Sequence, residues 1–237
     1  MPAKHRHIGI DQNPDSKTLD ARFNKSYQSS DLERKSLLDS RFDGLSESEI
    51  WSQFRKGSRE AFIYMYYKFF PVLFSYGHQL TTHTEVVEDC IQDLFVDLSK
   101  KSDNLSDTDS IKFYLIKSFK TKYLKSIKKE EKIKDKVKYY PGYEFQFTLS
   151  DEDKLINTQL DDERIAKLNK ALEGLTGRQR EAIYYFYYEN MSIDQIAEIL
   201  EVTNRRTVQN IIYRALAHMR EHIDILLVFF IALRAHQ

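Results

Sequence analysis

Cysteine is all but missing from this chain. Cys90 stands alone among 237 residues, which excludes an internal disulfide and any cysteine-based zinc site. Glycine and proline are scarce, seven and four, so sandwiches, barrels and repeated tight turns are not expected. Net charge is missing as well: 36 basic residues balance 36 acidic ones, and any electrostatic partner must be sought in local clusters. The longest apolar run, "ILLVFFIAL" at 225–233, falls short of the ~20 residues of a membrane-spanning helix. The first residues lack the apolar core of a secretory leader. A reduced, cytoplasmic protein without membrane insertion is therefore expected. The histidines show no ligand spacing, and His5 and His7 read as part of a loose tail. No nucleophile–base pair, metal cluster or phosphate-cradling loop is visible. Neither catalysis nor a metal, cofactor or small-molecule substrate is expected.

What is present is apolar and aromatic matter, 41% and 13% of the residues, enough for one or two cores. Stretches rich in Lys, Glu, Leu, Ile and Ala point to an all-α chain. Residues 1–45 are polar and aperiodic and read as a poorly ordered arm. "SESE" at 46–49 has the form of a capping box. The aromatic stretch that follows, "AFIYMYYKFFPVLFSYGHQL", is apolar nearly all round, as in a helix buried on several sides. Pro71 is expected to kink or divide it. In "TEVVEDCIQDLFVDLSK", Val87, Cys90 or Ile91, Leu94 and Leu98 form an apolar stripe. Glu85, Glu88, Asp89, Asp93 and Asp97 take the other faces, with no basic residue among them. "SDNLSDTDS" at 102–110 is a polar connector. A third helix over 111–129 has Ile116, Phe119, Tyr123 and Ile127 inward and Lys117, Lys120, Lys125 and Lys128 on another side.

The local charges are lopsided. Residues 111–138 hold eleven lysines against Glu130, Glu131 and Asp135. Residues 139–163 hold seven acids against Lys154 alone and read as a linker. Leu168, Leu172 and Leu175 then mark a helix, and "TGRQ" at 176–179 and "SIDQ" at 192–195 open two more. The expected organisation is two helical domains, 46–130 and 162–222, joined by an acidic linker, 131–161. An apolar tail at 223–237 extends the last helix or docks a regulator or second copy.

The second domain contains "IAEILEVTNRRTVQNIIYRAL". Ile196, Leu200 and Val202 are apolar, and Ala197 is small enough for a second helix to cross closely. Val208, Ile212, Ala215 and Met219 follow at helical spacing. Arg205, Arg206, Gln209, Asn210, Tyr213 and Arg214 are left outward. This is the layout of a helix-turn-helix, whose second helix enters the major groove. Arg, Gln and Asn can make bidentate contacts with base edges. Residues 203–220 contain four arginines and no carboxylate, whereas an ordinary solvated face carries both signs.

The motifs "GLTGRQRE", "SIDQIAEIL", "TVQN" and "YRALAHMR", in that order, resemble the C-terminal domain of sigma-70 factors of the extracytoplasmic-function group. "GSREAFIYMYYKFF" and "VVEDCIQDLFVDL" resemble the family's first conserved domain, and "YLIKSFKTKYLKSIKK" its promoter-melting helix. The resemblance covers roughly residues 46–222. It implies docking on the polymerase clamp through Glu88, Asp89, Gln92 and Asp93. It implies capture of the −10 element by Asn104, Lys117, Lys120, Thr121, Lys125 and Lys128, where single-strand binding needs positive charge and pockets for unstacked bases. It implies reading of the −35 element by Arg205, Arg206, Thr207, Gln209, Asn210 and Arg214. The partners implied are core RNA polymerase and promoter DNA, with room for an anti-sigma factor. Three departures stand out. Glu201 holds a place where the family often has glycine, the stretch from Val202 to Thr207 is one residue longer than usual, and Thr121 replaces a common asparagine.

Two rivals remain open. A regulator that binds duplex DNA without polymerase would need a ligand or receiver domain, with strands, over 46–129. A sigma-mimicking antagonist would keep the fold and lose the positive face of 203–220.

Overall fold

Polar motifs start three helices in this protein, and each does so by a reciprocal pair of hydrogen bonds. The caps Ser46, Thr176 and Ser192 accept from the backbone N–H three residues on, and Glu49, Gln179 and Gln195 accept in return from the cap N–H at 2.8, 2.9 and 2.9 Å. Each cap is worth about 1 kcal/mol. The bonds from Ser46 also hold the Glu49 carboxyl below its ordinary pKa.

The computed structural model describes residues 29–133, 145–147 and 162–220, and every regular element among them is helical. The first domain comprises α1 (Ser29–Phe42), α2 (Glu47–Arg55), α3 (Arg59–His78), α4 (Thr84–Lys101), a 3₁₀ turn (Ser102–Asn104) and α5 (Ile111–Ile133). The second comprises α6 (Asp162–Glu173), α7 (Gly177–Ile183), a π turn (Tyr184–Tyr188), α8 (Ile193–Ile199) and α9 (Arg205–Arg220). Among the described residues no helix is long and apolar enough to cross a membrane. The apolar tail at 223–237 and residues 1–28 of the arm lie outside the described residues.

In the first domain α3 is the central rod, in contact with α1, α2, α4 and α5. Its buried residues Ala61, Met65, Phe69, Leu73 and Tyr76 join Trp51, Val87, Ile91, Ile111 and Phe119 in one core. At Gly77 the helices approach so closely that a Cβ would stand 2.4 Å from Val87 Cγ1. Pro71 does not divide α3, which runs unbroken from Arg59 to His78. One missing N–H is outweighed by tertiary packing along the helix. The arm also differs from expectation. Its residues from Ser29 to Phe42 form α1, which packs on α3 through Leu38 and Phe42. Phe42 stacks on Tyr64 with centroids 4.7 Å apart. Two apolar anchors are too few to give a visible stripe.

In the second domain Leu168, Leu172, Ile183, Ile196, Val208, Ile212 and Met219 form the core. Arg180 is buried within it. Its guanidinium donates to the carbonyls of Leu175 at 2.7 Å and Glu173 at 3.2 Å, and through Nε to Phe145 O at 2.7 Å. One cation thereby satisfies carbonyls at the C-terminal end of α6 and ties the linker to the domain. The linker is thus more than a spacer. Phe145 is 1% exposed, Phe147 is buried, and Gln146 N–H donates to Gln79 O of the first domain at 2.8 Å.

The break between α8 and α9 places Glu201 at φ +53°. For a residue with a Cβ this left-handed conformation costs roughly 1–2 kcal/mol, which accounts for the glycine common there in the family it resembles. We expect Glu201→Gly to raise stability by about 0.5–1 kcal/mol, after the greater unfolded-state freedom of glycine is counted. A thermal melt should show a rise of a few degrees, and a lower Tm would disprove strain at this position. Arg180→Ala should lower unfolding free energy by about 3 kcal/mol, because several buried carbonyls lose a charged donor. Arg180→Lys should recover only part, since an ammonium cannot fork. Urea titration followed by circular dichroism tests both, and a loss under about 1 kcal/mol for the alanine variant would remove Arg180 from this role.

Candidate nucleic-acid interface

The helix-turn-helix is formed by α8, the break at 200–204 and α9. Val208, Ile212, Ala215 and Met219 of α9 are buried. That fixes the rotation of the helix and leaves Arg205, Arg206, Thr207, Gln209, Asn210 and Arg214 exposed together. Asn204 Oδ1 accepts from Arg206 N–H at 2.8 Å, an Asx contact that opens the helix. Arg205 pairs with Asp194 at 2.8 Å with both side chains well exposed. Such a pair is worth at most about 1 kcal/mol, so Arg205 is easily redirected to a phosphate. Tyr213, 69% exposed, lies beside them. Sequence reading placed it outward without assigning it a role, because tyrosine is as often a core residue as a contact.

A second positive surface follows α5. Helix α2 positions it: Trp51 Nε1 donates to Ser106 O at 2.9 Å, Arg55 pairs with Asp107, and a Glu47 oxygen accepts from Lys112 N–H at 3.2 Å at the start of α5. The connector is thereby held against α5, with an open groove of about 540 Å³ between them. Leu105, Ser106 and Thr108 line one wall, and Phe113, Lys117, Thr121 and Lys125 the other. The Thr121 hydroxyl donates to Lys117 O at 2.9 Å, which leaves its lone pairs facing outward. Lys101 and Lys122 also border this groove. Sequence reading did not select them, because the connector's path decides which lysines share a wall. Asn104 is exposed but falls outside the groove lining. Lys128 belongs to α5, and its side chain lies outside the described residues.

Lys120 departs from expectation. It is 8% exposed and points into the joint between the domains rather than onto an open face. Its ammonium donates to Glu181 Oε1 at 2.6 Å and Ile199 O at 3.2 Å. Tyr185 OH donates to the same carboxylate oxygen at 2.7 Å. The Tyr185 proton being committed there, Tyr76 OH donates to Tyr185 across the joint at 2.7 Å. Beside this chain, Lys112 donates to Glu189 O at 2.6 Å and pairs with its carboxylate at 3.2 Å. Tyr184 OH donates to that carboxylate at 2.7 Å. Burial first, and then the neighbouring Glu189 and Tyr76 respectively, push the Tyr184 and Tyr185 phenols well above their ordinary pKa. Phe145 lies against Tyr76, Tyr184 and Tyr185 with centroids 6.2, 5.2 and 6.3 Å apart. At the edge, Lys117 pairs with Glu198 of α8, which stands on the rim of the groove.

Glu88, Asp89, Gln92 and Asp93 are all exposed on the outer face of α4, opposite buried Val87, Cys90, Ile91 and Leu94. Val96, 48% exposed, extends this face by one turn. An apolar side chain inside an acidic rim suits a protein contact.

Residues 165–219 match the family model described as Sigma-70, region 4. Among solved structures the chain is similar to CnrH in complex with the cytosolic domain of CnrY. The identity is 17%, over 74% of this chain and 95% of that one, with a TM-score of 0.48. It is also similar to the sigma factor RpoE in complex with the anti-sigma factor NepR from Bartonella quintana. There the identity is 20%, over 69% of this chain and 97% of that one, with a TM-score of 0.46. A comparison with curated proteins gave no match. The region 4 match falls on the helix-turn-helix of α8 and α9 and on the helices that support it, and the chain belongs to the sigma-70 family of RNA polymerase sigma factors.

Proposed function

We propose that this chain is a sigma factor of the extracytoplasmic-function type, which binds core RNA polymerase and directs initiation at promoters with two separated elements. In this reading α9 enters the major groove of the −35 element, with Arg205, Arg206, Thr207, Gln209, Asn210 and Arg214 against bases and phosphates. The groove between the connector and α5 takes the displaced −10 strand. Lys117 and Lys125 meet its phosphates, and Thr121 with Phe113 meets an unstacked base. Glu88, Asp89, Gln92 and Asp93, with Val96, dock on polymerase. The observation that carries the reading is the region 4 match on a helix-turn-helix whose exposed face has arginines and no carboxylate. The duplex-binding regulator is disfavoured by the first domain, which is helical throughout its described residues.

The test is transcription by core polymerase on a pooled promoter library, with sequencing of transcript 5′ ends. Starts that share two short motifs at fixed spacing should depend on the protein. Arg206→Glu with Arg214→Glu should cut specific initiation by roughly two orders of magnitude or more, since each base contact is worth about 1–3 kcal/mol, while polymerase binding persists. Asp89→Arg with Gln92→Arg should instead abolish co-purification with core. Unchanged initiation by the arginine double variant would remove α9 from promoter reading.

A further inference from the structure

The lysines best placed to hold single-stranded DNA are already in use. Lys112, Lys117 and Lys120 of α5 are engaged by Glu189, Glu198 and Glu181 of the second domain. All three acids come from one domain and all three cations from one helix of the other, so the joint is complementary in charge. The −35 face of α9 takes no part in it and stays exposed. We propose that this docking is an autoinhibitory latch: in the free chain the second domain's carboxylates stand where the −10 strand's phosphates would, and promoter opening waits until the domains part. The proposal rests on the sigma reading above and concerns the regulation of its −10 site.

Geometry supports it independently of charge. Elements centred 25 base pairs apart are separated by on the order of 85 Å of duplex at ~3.4 Å per step. A compact chain of this length has a radius of gyration of only about 18 Å. The docked domains therefore cannot reach both elements. The 28 residues between α5 and α6 could span roughly 90–100 Å when extended. To do so they must give up Phe145, which is wedged among Tyr76, Tyr184 and Tyr185 and tied to Arg180. Opening thus breaks three ion pairs and withdraws one aromatic plug. Polymerase, which would hold the domains apart by binding each, can supply that work.

The experiment uses the full chain and two variants. Glu198→Lys alters an exposed residue and does not threaten the fold, and Glu181→Gln/Glu198→Lys also discharges the buried partner of Lys120. Glu173→Lys, an exposed site away from the joint, controls for added positive charge. Small-angle scattering reads closure, and fluorescence anisotropy reads binding of a labelled random-sequence single-stranded 12-mer and of a duplex of equal charge. Wild type should scatter as a compact particle of about 18 Å, and both joint variants should expand. Their single-strand affinity should rise about tenfold, as for release of a site that is open in one molecule in ten, with less change on duplex and none beyond charge in the control. Unchanged scattering by Glu198→Lys, or expansion with no preferential gain on single strands, would overturn the latch. Transcription with core polymerase is run in parallel. If neither wild type nor the opened variants initiate, the sigma reading fails, while scattering and anisotropy still judge the latch.

Discussion

The burial of one ammonium group organises the molecule. Lys120 is withdrawn from water, and a buried cation is tolerated only when it is paired and hydrogen-bonded. Glu181 supplies the charge, the Ile199 carbonyl a second acceptor, and Tyr185 and Tyr76 complete the carboxylate's partners in a chain that crosses the joint. Stranding such a charge costs about 3–5 kcal/mol, as much as docking of two small domains contributes. The joint therefore has two acceptable conditions: every member satisfied, or the lysine returned to water by separation. An intermediate with Lys120 buried and unpaired is excluded. A partly polar interface of this kind is bistable, whereas an apolar one of the same area would resemble a domain core cut in half and stay closed.

What was legible in the sequence was local. Ser46, Thr176 and Ser192 reveal helix starts because a capping box is completed within four residues. Val208, Ile212, Ala215 and Met219 reveal which face of α9 is inward because helical period alone decides it. The groups chosen for DNA and polymerase on α9 and α4 lie on exposed faces for the same reason. What was not legible depends on contacts distant in sequence. Lys120 is indistinguishable from Lys117 or Lys125 on a helical wheel, and only Glu181, sixty-one residues away, makes its burial possible. Phe145 belongs to a stretch without periodicity, and its pocket is made by both domains. Leu38 and Phe42 were passed over because two anchors do not make a pattern. Glu201 hid its strain because the turn demands a φ rather than a residue type.

The two positive surfaces follow different designs. On α9 the arginines are exposed in the docked chain, and the pairing of Arg205 with Asp194 is too solvated to compete with a phosphate. On α5 the lysines are graded by burial: Lys125 is open, Lys117 is half-covered and paired with Glu198, and Lys120 is enclosed. A duplex is present before initiation and a single strand only during it, so a surface for duplex can stand ready, whereas a surface for single strand is better withheld. Lysine suits the withheld surface, because its compact charge on a flexible stem can be handed from a carboxylate to a phosphate without a fixed fork to rebuild. Arginine suits the standing one, where planar bidentate recognition favours a preformed geometry. The placement of the two cations along this chain thus matches the order in which the two forms of DNA are met.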